Sequence, residues 1–224
     1  MGDPLANPIW STLTGRQAHL AVVHGRARRL DGAYGLFGAV QDTSDESLAD
    51  LSGLVRGHGD ICVLWPGEQP TFPDVMAGAP VLVLQMVAET LKPARPCGHE
   101  VLSHDDAPQM RALVQLTEPG PFFERTHELG RFIGVKVDGR LVAMAGERMR
   151  PDGHTEVSGV CVHPDHRGHG YAAGLTGAVA EAIVARGERP ILHVYPDNAP
   201  AIALYERLGF LRSREFVMTA LTAA

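Results

Sequence analysis

The sequence predicts an α/β fold of the α+β kind, with strands and helices in both halves of the chain. Three observations predict it. Thr43-x-x-Glu46 reads as a helix-capping box between apolar runs of strand length. Asp138-Gly139 separates two further runs and is a strong type I′ hairpin signal. The run that ends at Val162 becomes a glycine-rich loop bearing an arginine, and that loop opens a helix.

The elements follow in order. Apolar composition predicts strands over Ala18–Val23, Asp60–Trp65 and Val81–Val87. The capped helix between the first two places Leu48, Leu51, Leu54 and Val55 at helical spacing and stops at Gly57. Lys92-Pro93-Ala94-Arg95-Pro96-Cys97-Gly98 is the best boundary, because two prolines and a glycine follow a strand-like segment. It divides the chain into an N-terminal half, 1–95, and a second half, 97–224.

In the second half Ala107–Thr117 is predicted helical, with Met110, Leu113 and Val114 facing the core, and Phe122–Leu129 as a shorter helix. Phe132–Val137 and Leu141–Met149 form the hairpin. Pro151-Asp152-Gly153 then turns the chain into a third strand, Thr155–Val162. A helix runs from Gly170 to Arg186 and stops at Gly187. Ile191–Tyr195 reads as a buried strand, Asn198 caps the next helix, Gly209 ends it, and Phe210–Leu221 returns as a strand.

Composition narrows the function. The chain has 224 residues, 45% of them hydrophobic, which is enough for a real core and argues against disorder. A net charge of −6 argues against nucleic acid or an anionic membrane as partner. No apolar run has the length to span a bilayer, and the start lacks the pattern of a secretion signal. Three cysteines without metal-type spacing suit a reducing compartment, so a cytoplasmic location is expected.

The loop after Val162 carries the chemistry. A helix start presents unpaired backbone N–H groups and the positive end of its dipole, so anions bind there. Gly168 and Gly170 let backbone close on a phosphate, and Arg167 adds a forked cation. Arg167-x-x-Gly170-x-Ala172 after a β-run resembles the acyl-CoA signature of the GNAT superfamily of N-acyltransferases. Asn198-Ala199-Pro200-Ala201-Ile202-Ala203-Leu204-Tyr205-Glu206-Arg207-Leu208-Gly209-Phe210 resembles the second signature of the same superfamily. The resemblance covers about residues 97–224. The order of the halves also resembles the glycine N-acyltransferase-like branch, in which a divergent N-terminal α/β half precedes the catalytic one.

The resemblance implies a GNAT fold, with a central mixed, mostly antiparallel sheet flanked by helices. It further implies transfer of an acetyl or short acyl group from CoA to a primary amine of a small molecule or peptide, by direct attack on the thioester. Acetyl-CoA is the expected co-substrate, and no metal is expected. By the same resemblance Val160, Cys161 and Val162 meet the pantetheine arm and thioester. Arg167, Gly168, His169, Gly170, Tyr171 and Ala172 cradle the pyrophosphate, and Asn198, which caps the helix that carries Tyr205, is also expected to bind the cofactor. Tyr205 stands where the family protonates the leaving thiolate, and Glu156 where related enzymes place a basic glutamate. Glu147 competes with Glu156 as base or acceptor anchor. Gly159 tolerates a bulge or a close approach.

Other readings are weaker. His163, His166 and His169 are spaced like metal ligands, but Pro164, Gly168 and Gly170 break any helix that would align them. Cys161 near His163 has no orienting acid and reads as structural. Gly168-x-Gly170 with Gly174 echoes a dinucleotide fingerprint whose third glycine is misplaced. The alternative to an enzyme is a catalytically silent acyl-CoA-binding module. Neither the acceptor nor the oligomeric state is legible.

Overall fold

The computed structural model describes residues 2–224. In chain order the first elements are helix α1 (Pro8–Thr14), strands β1 (Ala21–His24), β2 (Ala27–Leu30) and β3 (Gly38–Val40), and helix α2 (Asp45–His58). Strands β4 (Ile61–Trp65), β5 (Val75–Ala77), β6 (Val81–Ala88) and β7 (Glu100–Val101) follow. Next come helix α3 (Ala107–Thr117) and strands β8 (Phe132–Val137), β9 (Arg140–Glu147) and β10 (His154–Val162). Helix α4 (Tyr171–Ala185), strand β11 (Arg189–Val194), helix α5 (Ala199–Arg207) and strand β12 (Phe210–Ala223) complete the chain.

These elements form two units. One holds the residues up to Gln85 together with Met149–Asp152 and Arg214–Ala224; the other holds Met86–Arg148 and Gly153–Ser213. In the first unit β1, β2 and β3 make an antiparallel sheet. Leu48, Leu51, Leu54 and Val55 of α2 pack with Ala27, Val40, Ile61, Val63 and Leu221. Arg29 is buried there and donates to the carbonyls of Leu30 and Gly59. Carbonyls at the end of a helix carry its negative pole, which suits a cation. β4 pairs antiparallel with β12 from Ile61↔Leu221 to Trp65↔Val217.

In the second unit β8, β9 and β10 form an antiparallel meander, β7 pairs with β8, and β11 joins β10 in parallel. Asp138 and Gly139 both have positive φ, +50° and +77°, as a type I′ turn requires. α3 lays Met110, Leu113 and Val114 against Phe132, Met144 and Cys161. Full burial of each such side chain contributes about 1.5–3 kcal/mol. Glu147, of the opposite strand parity to Met144, reaches Arg186 at the end of α4. The two helices therefore cover opposite faces of the meander.

Several elements depart from expectation. Ala18–Leu20 is a 3-10 turn, so the first strand begins at Ala21. Phe122–Leu129 contains a single 3-10 turn, Thr126–Glu128, because Pro119, Gly120 and Pro121 precede it and Gly130 follows. The α2 cap is Ser44, which accepts from Ser47 N, while Asp42 accepts from both serine hydroxyls. The Lys92–Gly98 segment runs close to α4: a Cβ on Gly174 would stand 2.7 Å from Cys97 Sγ and 2.9 Å from the Arg95 carbonyl. α4 is crossed closely by the chain that precedes α3, and glycine permits the approach.

Candidate active site

β10 holds the centre of the site, and two irregularities shape it. Its parallel register with β11 runs over His154↔Arg189, Thr155↔Pro190 and Glu156↔Ile191, and past Glu156 the two strands are unpaired among the described residues. Its antiparallel register with β9 shifts between Ser158↔Gly146 and Cys161↔Met144. Three steps on β10 thus face two on β9. Gly159 takes φ +62° in this bulge, and a Cβ there would lie 3.1 Å from the Phe132 ring. A bulge unpairs backbone and re-aims side chains. Val160 and Val162 are half-buried, while Cys161 points into the α3 core.

The loop that follows is tied to β9 by His163 N donating to the Val142 carbonyl at 2.7 Å. Pro164–His166 forms a 3-10 turn, and His163 Nδ1 accepts from Asp165 N at 3.2 Å. Gly168 and Gly170 have φ of +82° and +79°, with open space where a Cβ would stand. Their requirement is conformational rather than steric. Gly170 is the N-cap of α4 and offers no side chain to the first-turn N–H groups. Arg167 and His169 are exposed, Tyr171 and Ala172 are half-buried, and the His169 ring stacks on Tyr171 with centroids 5.6 Å apart. This loop can hold a phosphate through backbone N–H groups and one cation.

Asn198 caps α5, its Oδ1 accepting from Ala201 N at 3.2 Å. Tyr205 on that helix meets Phe210 edge-on, with centroids 6.1 Å apart. Burial pushes the Tyr205 phenol up to about 12, so it stays protonated throughout the neutral range.

The two glutamates lie in different ion pairs. Glu156 has a fully buried carboxylate that accepts from Arg148 Nε at 2.8 Å and Arg148 Nη2 at 2.7 Å. Its Oε1 also lies 2.7 Å from His193 Nδ1. Burial opposes the charge, but the Arg148 guanidinium and the His193 hydrogen bond outweigh it and hold the carboxyl well below the usual carboxylate range. Glu147, also buried, takes Arg186 Nη2 at 2.9 Å. Glu156 therefore faces Arg148 and His193 rather than solvent. Arg148 in turn lines a pocket with Ser158, Gly159, Phe132, Phe122 and Thr126.

Arg148 and His193 were not singled out in the sequence. Arg148 could have been found: a turn centred on Asp152 sets it opposite Glu156, and Arg148 N donates to the Glu156 carbonyl at 3.1 Å. His193 had no comparable signal, since the register of a parallel pair depends on a long crossover. Burial pushes the Cys161 thiol up to about 11, the mark of an inert thiol. The rings of His163, His166 and His169 pack against one another in sequence, with centroids 5.6 and 6.4 Å apart.

β10 thus bulges, parts from its parallel neighbour and runs into a helix start that no side chain caps, which is the arrangement the resemblance to N-acyltransferases leads one to expect. Residues 133–217 match the FR47-like protein family. A protein of Novosphingobium aromaticivorans assigned to the GNAT family of acetyltransferases is 42% identical, with all of both chains aligned and a TM-score of 0.92. This chain belongs to the GNAT family. A GCN5-related N-acetyltransferase from Kribbella flavida shares the fold at 17% identity and a TM-score of 0.62, over 97% of this chain and 93% of that one. The mycothiol acetyltransferase of Saccharomonospora viridis is 37% identical over 90 residues, which are 36% of this chain and 29% of that protein. The chain thus matches under a third of that relative's length. The narrower glycine N-acyltransferase-like branch is not carried by these matches.

Proposed function

We propose that the protein moves an acetyl or short acyl group from CoA to the primary amine of a small molecule or peptide. The observation that carries this reading is the geometry of β10: it separates from β11 after Glu156, bulges at Gly159 and leads into the Arg167–Ala172 loop. Backbone of Val160–Val162 on the side away from β9 meets the pantetheine arm, and the α4 amides with Arg167 take the pyrophosphate. The amine nitrogen attacks the thioester carbon, an oxyanion forms, and its collapse breaks the C–S bond.

One proton is transferred in this scheme and a second is shared. The amine gives one to His193, whose imidazole Glu156 orients and whose positive charge Glu156 stabilises, so Glu156 is a positioning residue. The departing sulfur receives a hydrogen bond from Tyr205 Oη. A phenol near 12 is a weaker acid than a thiol near 8.5, so this is stabilisation by a donor more than full transfer. The pocket beside Arg148, Ser158 and Phe122 takes the acceptor.

Acceptor-dependent release of free CoA thiol, measured with acetyl-CoA across a library of amines, tests the proposal. At least one primary amine should raise the rate far above the hydrolytic background. Binding of acetyl-CoA with no amine ever raising thiol release would mark a silent binding module instead.

A further inference from the structure

Away from that chemistry, the turn that leads into α3 and the loop that precedes β8 bring three potential ligands together. His104 Nδ1 lies 3.1 Å from His127 Nε2, and His127 Nε2 lies 3.9 Å from Glu128 Oε1. All three ligand atoms fall within 4.8 Å of one another, the one such group among the described residues. Two imidazole nitrogens bound at 2.0–2.1 Å in a tetrahedral site stand about 3.3 Å apart. The histidine pair is therefore already near the spacing that a shared ion imposes.

We propose that His104, His127 and Glu128 form a binding site for a divalent transition-metal ion of the zinc class. Two imidazoles and one carboxylate are the donor set such ions take, with water completing the shell. The His127 side chain is 6% exposed, so packing fixes its ring, while His104 is open to solvent and gives the ion a way in. Arg125 Nη2 holds Glu128 Oε2 at 2.6 Å. It can keep that oxygen while Oε1 turns to the ion and Arg125 Nε, now 3.0 Å from Oε1, lets go. An outer hydrogen bond of this kind orients a ligating carboxylate. Arg111 acts on His127 as a neighbouring positive charge and moderates the affinity.

The position gives the ion a purpose. His104 belongs to the turn at the head of α3, whereas His127 and Glu128 follow directly on Thr126, which lines the pocket beside Arg148. An ion here would pin that wall of the pocket to α3.

The test uses the full chain and Zn2+ titrated against a chromophoric chelator, with visible absorption of added Co2+ as a second readout. We expect one ion per chain, a loss of at least about ten-fold in affinity for His104→Gln, and no change for His166→Gln in the rival histidine row. Excess Zn2+ should raise the melting temperature of the parent and not of His104→Gln. His127→Gln disturbs a buried ring, so the exposed His104 decides. Equal Zn2+ affinity in the parent and His104→Gln, or equal weakening by His166→Gln, would overturn the site.

Discussion

Glu156 Oε1 and His193 Nδ1 stand 2.7 Å apart, and His193 lies two residues beyond Ile191, the last partner of β10 on β11. Both side chains are almost wholly buried, at 1% and 5% exposure. The contact thus sits where the two strands begin to part. Arg148 closes the other side of the carboxylate, so one buried negative charge holds two partners in place.

Breaking that arrangement should cost stability. Removing one member of a buried ion pair typically costs about 3–5 kcal/mol, because the remaining charge is left without compensation. Glu156→Gln should lose stability in that range by urea titration. Glu147→Gln should lose less, because Arg186, at 35% exposure, regains water. A loss within 0.5 kcal/mol of zero for Glu156→Gln would contradict the buried network.

The same carboxylate sets a pH dependence. Its folded pKa lies below the unfolded value of about 4.3, so the stabilisation is complete above that value and is lost as pH falls through and below it. Stability measured from pH 7 down to pH 3 should therefore fall more steeply in the parent than in Glu156→Gln. Parallel curves would remove Glu156 as a source of acid sensitivity.

On the proposed mechanism Tyr205→Phe should lower kcat by about 10 to 1,000-fold with little change in acetyl-CoA affinity. With the phenol near 12, ionisation of Tyr205 should not contribute to any fall in rate below about pH 10. An unchanged kcat under conditions where the chemical step is rate-limiting excludes the tyrosine from the reaction.

Thiol labelling separates Cys161 from the other cysteines. With its thiol near 11, at pH 8 only about one part in a thousand is thiolate, and the side chain is buried. Peptide mass mapping after brief alkylation should find Cys62 and Cys97, both half-buried, modified before Cys161. Early modification of Cys161 in the folded protein would refute this account of its environment.

At the loop, Gly170→Glu should abolish acetyl-CoA binding by adding bulk and negative charge at the start of α4. Gly170→Ala isolates the backbone cost of a left-handed residue, about 1–2 kcal/mol. Calorimetric binding equal to the parent in Gly170→Glu would show that the pyrophosphate lies elsewhere.

The parts of the fold that were legible had local causes. Asp138-Gly139 announces its hairpin, Asn198 announces α5, and the glycines after Val162 announce a backbone that needs positive φ. β2, β3, β5 and β7 are two to four residues long, too short for a period to register, and α1 has a single turn of apolar positions. The site divided along the same line. Arg167 and Gly170 enter as candidates through a local motif, whereas the ion pairs of Glu156 and Glu147 depend on which strands and helices meet. His104 and His127 lie 23 residues apart and meet only through tertiary packing.

The extra residue in β10 also works as a phase shift along the strand. Before it, Glu156 and Ser158 share a face with Arg148 and Gly146; after it, Cys161 occupies that same face opposite Met144, three positions on from Ser158 instead of two or four. Deleting Gly159 would remove the extra residue and restore strict alternation, with Cys161 two positions after Ser158 and still opposite Met144. Side chains beyond the bulge would keep their faces, and what would disappear is the unpaired backbone between Ser158 and Cys161. The added residue thus frees a stretch of backbone in mid-strand at no cost to the faces on either side of it.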